Sequence, residues 1–152
     1  MEDKSVFKEF DTQDFPLRRR DLLPLWIKIF IWIFLFTGIA GVLLLAFGFF
    51  LDDTDLSIYG LSTTRPYSLI GYVISFIFIF KGIVSYGLWF EEKWAPKAAM
   101  ADAILGFIIC GVVMFVLPFT SSTNFTIRFE IILLIPYLQI MRKIENKWIN
   151  LK

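Results

Sequence analysis

The chain has 152 residues, 57% of them hydrophobic, with a mean hydropathy of +0.69 and a formal net charge of +1. It is too apolar for an ordinary soluble domain and too short for two large ones, so a single membrane domain is expected. There is no histidine and only one cysteine, Cys110, which removes the usual haem ligand and general base, makes a conventional zinc site improbable, and leaves no CxxC pair or disulfide framework. No cofactor, metal or catalytic constellation is expected.

Residues 1–23 are polar and charged and read as a flexible tail, with Arg18, Arg19 and Arg20 just ahead of Pro24. The first apolar run, about 25–51, lacks a small-residue cleavage pattern and reads as a retained span. About 20 apolar residues in a helix cross the roughly 30 Å hydrocarbon core, because only an internally hydrogen-bonded backbone survives there. Residues 52–66 carry Asp52, Asp53, Asp55, Gly60 and Pro66, turn formers and acids suited to the longest connecting loop. A second span covers about 67–90, and a charged connection at 91–97 leads to a third at about 96–118, with Pro96 in its first turn. Polar residues 120–124 form the next loop, followed by a fourth span at about 125–144 and a tail at 146–152. The fourth span is the weakest, since Arg128 and Glu130 shorten its uncharged part to 131–141 and Pro136 interrupts backbone hydrogen bonding. Its rival, an interfacial or re-entrant segment, would carry the basic tail to the opposite side. The expected fold is an all-α integral membrane protein, a four-transmembrane-helix bundle with short loops in one domain, 24–145.

Basic residues near span ends are retained on the cytoplasmic side. Lys4, Lys8, Arg18, Arg19, Arg20, Lys28, Lys93, Lys97, Arg142, Lys143, Lys147 and Lys152 fall on one side, and only Arg65 and Arg128 on the other. Both termini are therefore expected in the cytoplasm. Trp26, Trp89, Trp94 and Trp148 fall near the inner interface and Tyr59, Tyr67 and Tyr72 near the outer one, where amphipathic rings prefer to sit. Abundant Phe and Ile and compact loops lean towards a bacterial inner membrane.

Small residues let helix backbones approach in lipid. Candidate packing positions are Gly38 and Gly41 on the first helix, Gly71, Ser75 and Gly82 on the second, and Ala99 and Gly106 on the third, with Cys110 on the same face. The expected use is intramolecular packing, with a homo-oligomer contact as the alternative. Lys81 and Asp102 are the two charges deep within spans. Burying a charge costs on the order of 3 kcal/mol on insertion scales, so it faces protein or water and finds a partner. Lys81 lies roughly 13 Å along the helix from the inner end of its span, and Asp102 roughly 8 Å from Lys97. The two helices are antiparallel neighbours, so a Lys81–Asp102 contact is expected, either as a structural ion pair or as part of a proton or substrate site between helices.

Small multidrug-resistance transporters also have four short spans, but that family places a membrane-embedded glutamate in the first helix. Here the first span contains only Lys28, so the resemblance is limited to size. The segment 86–95 resembles the inner hairpin of small bacterial membrane proteins, an outcome of interfacial chemistry that implies no activity. No nucleotide, calcium or zinc motif is present, nor any nucleic-acid module. The expected partners are the lipid bilayer and a membrane-protein partner or second copy. The expected role is a non-enzymatic accessory or structural subunit of a membrane complex. The alternative is a homo-oligomeric small-solute or ion transporter or channel using Lys81, Ser85, Asp102 and Gln139.

Overall fold

A computed structural model describes residues 18–50, 54–115 and 130–151. These residues form four long helices, α1 (Leu25–Phe47), α2 (Leu69–Trp89), α3 (Ala95–Phe115) and α4 (Glu130–Asn150). A short hairpin, β1 (Leu56–Ile58) with β2 (Leu61–Thr63), lies between α1 and α2. A 3-10 turn at Gly48–Phe50 prolongs α1, so that Leu25–Phe50, α2 and α3 are each long and apolar enough to cross a membrane. α1 packs chiefly on α2, and α3 on α4, while α2 and α3 join the two pairs.

The buried positions follow the helical period. On α2 they include Gly71, Ile74, Ser75, Ile77, Lys81, Val84, Ser85 and Leu88, one face of a 3.6-residue repeat. α1 buries only the narrow stripe Ile27, Ile31, Gly38 and Gly41, yet its opposite face exposes Phe36, Ile39, Val42, Leu43 and Phe47. A helix apolar on every side has no face suited to water, so the exterior of α1 is matched to hydrocarbon.

Close approach of α1 and α2 rests on two glycines. A Cβ at Gly38 would stand 2.5 Å from the Gly82 Cα, and one at Gly82 would stand 2.7 Å from the Gly38 Cα, so backbone meets backbone there. The other small residues divide by what they admit. Gly41 accepts the Phe78 Cβ and the Ser75 carbonyl of α2, and Ala99 is enclosed in the inner core. Gly71, expected in a helix seam, instead lies under the Pro66 carbonyl, where any Cβ would collide with the turn that leads into α2. Gly106 receives the Tyr59 ring and Leu134 instead of a helix backbone.

The ends of the helices that meet at Arg19, Glu91 and Trp148 are clamped together. α2 ends in a Schellman arrangement: Glu91 takes φ 62° and the Glu92 N–H donates to the Gly87 carbonyl at 2.9 Å. Arg19 donates to the carbonyls of Glu91 (2.7 Å) and Leu151, Arg20 Nε donates to Glu91 Oε1 at 2.8 Å, and Trp148 Nε1 donates to the Glu92 carbonyl at 2.8 Å. Trp148 is thus a core residue, packed with Leu23, Ile27, Leu88, Ala95, Ala99 and Met141, rather than an interfacial anchor.

Several sequence expectations shift. α2 begins at Leu69 instead of 67, and α3 is described to Phe115, with 116–129 outside the described residues. α4 runs through Pro136 without a break and continues to Asn150, so most of the expected tail at 146–152 is helical, drawn in by the burial of Trp148. The expected tail at 1–23 has an ordered end, since Arg19–Leu22 form a 3-10 turn and Leu23 is buried; residues 1–17 lie outside the described residues. The all-helix expectation missed the hairpin.

The crossing at Gly38 and Gly82 yields a direct test. Gly82→Val should force α1 and α2 apart and lower the midpoint of thermal unfolding in detergent. Gly111→Ala, where an added Cβ meets nothing within 4 Å, should leave it unchanged. Equal midpoints for the two variants would show that the close approach carries no stability.

Candidate functional site

The hairpin positions the site. Its two-residue turn, Tyr59–Gly60, has φ 52° and 87°, the double left-handed conformation that matches the twist of the flanking strands. Glycine tolerates this freely, whereas tyrosine pays about 1–2 kcal/mol for it. The strain is held because the Tyr59 ring is inserted among Ile77, Ala103, Cys110 and Leu134, leaving the residue 5% exposed. Tyr59 was expected at the outer interface; instead it reaches Gly106, at the middle of α3. The sequence signal was present in Ile58-Tyr59-Gly60-Leu61, a glycine at the second turn position between apolar residues.

Beneath this ring lies the ion pair. Lys81 Nζ donates to Asp102 Oδ2 at 2.8 Å, and the two residues are 3% and 2% exposed. The same ammonium sits 4.5 Å from the centre of the Phe34 ring and 5.0 Å from that of Tyr59. A desolvated cation over aromatic faces is attracted by about 2 kcal/mol per favourable contact. α1, the hairpin, α2 and α3 therefore meet at one cation. Sequence spacing located the pair, but the aromatic partners come from segments that nothing local links to it.

Two atoms of this cluster have no hydrogen-bond partner among the described residues: Asp102 Oδ1 and the Tyr59 hydroxyl. Burial above all, with the Asp102 charge adding, raises the Tyr59 hydroxyl far above the ordinary tyrosine range, so it keeps its proton and remains a donor. Ser75 Oγ, further out on α2, is likewise buried and without a partner among them. Ser85 is buried one turn beyond Lys81, whereas Gln139 faces outward and cannot line the site.

The pair forms the floor of a cavity of about 220 Å³. One wall is Trp26, Phe30 and Phe34 of α1, and the other is Glu130, Leu133, Leu134 and Tyr137 of α4, with Ile58 and Tyr59 across the outer side. Glu130 stands on this wall and accepts from Cys110 Sγ at 4.0 Å. Among the described residues no group of three or more His, Cys, Asp or Glu side chains is arranged to hold a metal. The lining is mainly apolar, with Lys81, Asp102 and Glu130 set into it, while Asp102 Oδ1 and the Tyr59 hydroxyl are closed to any group of water size.

Comparison of the chain with protein-family models, curated proteins and solved structures gave no match.

Removing one partner of a buried pair strands the other charge, so Lys81→Met and Asp102→Asn should each destabilise strongly, on the order of 3–5 kcal/mol. The double variant should lose less than the sum of the two, with a coupling of about 1–3 kcal/mol in a thermal or chemical unfolding cycle in detergent. Strict additivity would mean that the pair contributes nothing as a pair.

Proposed function

We propose that this chain is a four-span membrane protein with both termini in the cytoplasm, placed in a bacterial inner membrane, that serves as a non-enzymatic accessory or structural subunit of a membrane complex. The observation that supports the role is the way the interior charge is used. Lys81 is enclosed by Asp102, Phe34 and Tyr59 from three other elements, which supports reading it as a structural tie. α4 is not among the helices that meet the length and hydropathy of a span. A fourth crossing is supported by its packing instead. α4 lies antiparallel along α3, with Glu130 at Cys110, Leu134 at Gly106 and Trp148 at the loop before Ala95. A helix pressed along a span over that length shares its depth, and Arg142 and Lys143 near its inner end can extend to the headgroups. The basic residues at the inner ends support the cytoplasmic placement of both termini.

The second reading, a homo-oligomeric small-solute or ion transporter or channel using the Lys81/Asp102 region, draws on the cavity beside the pair.

Topology is tested with single cysteines in a Cys110→Ser background, using membrane-impermeant maleimide on sealed vesicles of both orientations. Ser62→Cys and Lys147→Cys, both at exposed positions, should label from opposite faces; labelling from one face would reject the fourth crossing. Native purification tests the role. A stoichiometric unrelated membrane protein is expected to co-purify. A partner-free homo-oligomer that moves solute in liposomes, and loses this with Asp102→Asn, would overturn the accessory reading in favour of the transporter.

A further inference from the structure

We infer that the cavity between α1 and α4 takes part of one acyl chain of an anionic phospholipid whose phosphate lies at Lys143 and Lys147. The inference rests on the transmembrane reading of the bundle, with α4 sharing the depth of α3, and not on the accessory role.

The first argument is the character of the lining. Trp26, Phe30 and Phe34 form one wall and Leu133, Leu134 and Tyr137 the other, all of them apolar or aromatic. Lys81 and Asp102 are bonded to each other at the floor and are only 3% and 2% exposed, so they offer an entering group almost nothing. A space of about 220 Å³ would hold about seven waters, each needing roughly two to four polar partners that these walls do not supply. A hydrocarbon chain needs none. Leu133 on the α4 wall is 51% exposed, and the exteriors of both wall helices are apolar at this depth, so the open side of the cavity faces the lipid chains.

The second argument is the register along α4. Leu133, Ile140 and Lys147 follow one another at seven-residue steps and share a face of the helix. Leu133 lines the cavity, Ile140 and Trp26 pack half-buried on the inner core, and Lys147 is exposed at the end, with Lys143 one turn before it. Each leaflet contributes about half of the roughly 30 Å hydrocarbon core. A chain rooted at the two lysines therefore reaches about ten residues along α4, past Tyr137 and into the part of the cavity walled by Trp26 and Phe30. The Glu130 carboxylate does not oppose the phosphate, because Glu130 and Lys143 are separated by about 20 Å along the helix.

The third argument is charge. Lys143 and Lys147 stand four residues apart, where like charges on a helix repel unless an anion lies between them. Among the described residues neither has an ion pair. Glu145 is two residues from each and faces another side of α4. At the same end Glu91 is already bonded to Arg20, and Asp21 stands 4.0 Å from Lys28, whereas Lys93, Lys97 and Arg142 are exposed. A phosphate with no ammonium of its own to balance it suits this end better than a zwitterionic head.

The experiment uses the full chain in a nonionic detergent. Dioleoylphosphatidylglycerol, dioleoylphosphatidylcholine and dioleoylglycerol are titrated separately, and retained lipid is counted by native mass spectrometry. The phosphatidylglycerol is expected to be retained at one per chain, the phosphatidylcholine more weakly, and the dioleoylglycerol, which has the chains without the phosphate, least. Lys143→Gln and Lys147→Gln should each weaken the phosphatidylglycerol about fivefold and narrow its advantage over the phosphatidylcholine. Arg142→Gln removes the same charge from an exposed position on a different face of α4 and should change retention little. Phe30→Trp adds bulk to the cavity wall away from the Lys81–Asp102 pair and should weaken both phospholipids. The proposal is overturned if the phosphatidylglycerol is not retained, if Arg142→Gln weakens it as much as the lysine variants do, or if Phe30→Trp binds it as the unmodified chain does. Failure of the transmembrane reading shows separately, in the maleimide labelling of Ser62→Cys and Lys147→Cys.

Discussion

A lysine buried against an aspartate inside an apolar bundle is the constraint around which the described fold is arranged. An isolated ammonium taken from water into the interior loses several kcal/mol of solvation, and it recovers this only through close and well-aimed partners. The Asp102 carboxylate supplies one at 2.8 Å, and the rings of Phe34 and Tyr59 supply two more. Each comes from a different element, so satisfying one cation sets the register of α2 against α3, brings the middle of α1 across, and draws the hairpin inward. Such a pair adds little net stability over a well-packed apolar alternative. What it contributes is discrimination, because a helix slipped by one turn leaves the charge without its partners.

The inner end is held by a second arrangement of a different kind. Glu91 occupies a left-handed position where glycine is usual, and Arg19 and Arg20 bond its carbonyl and carboxylate. The loop between α2 and α3 is therefore fixed from the N-terminal side, while Trp148 bonds the adjoining Glu92 carbonyl from α4. Arginines that crowd this end of the bundle thus also have a specific structural use. Charge-assisted bonds to backbone carbonyls hold the turn at Arg19–Leu22 in place ahead of the first long helix.

What could be read in the sequence was what is local or periodic. The three apolar runs, the seam at Gly38, Gly41 and Gly82, and the depth match of Lys81 with Asp102 all follow from spacing along one helix or between helices joined by a short loop. The hairpin escaped notice because its strands are three residues each, too short for alternation to register against a background of turn formers. Tyr59 was assigned to the interface on the average behaviour of tyrosine, and nothing within a few residues of it points to Lys81. The length of α4 was misjudged for a related reason. Arg142, Lys143 and Lys147 look like a tail in a linear reading, but Met141, Ile144 and Trp148 fall between them at helical spacing and are buried.

The hairpin also bears on how non-helical backbone can reach into a bundle of this kind. Irregular backbone at membrane depth is tolerated only where protein or a cavity surrounds it. Here the strands pair with each other and lie on α2, and Thr54 bonds the Thr64 carbonyl at the open end, so the backbone polar groups of the excursion are largely met within it. The side chain at its tip is another matter. A phenylalanine at position 59 would give the same ring to Lys81 and fill the same space, without a hydroxyl that costs about 1–3 kcal/mol when buried and unpaired. Packing alone therefore accounts for the ring and not for its oxygen, which stands with Asp102 Oδ1 as the second unpartnered polar atom of one cluster.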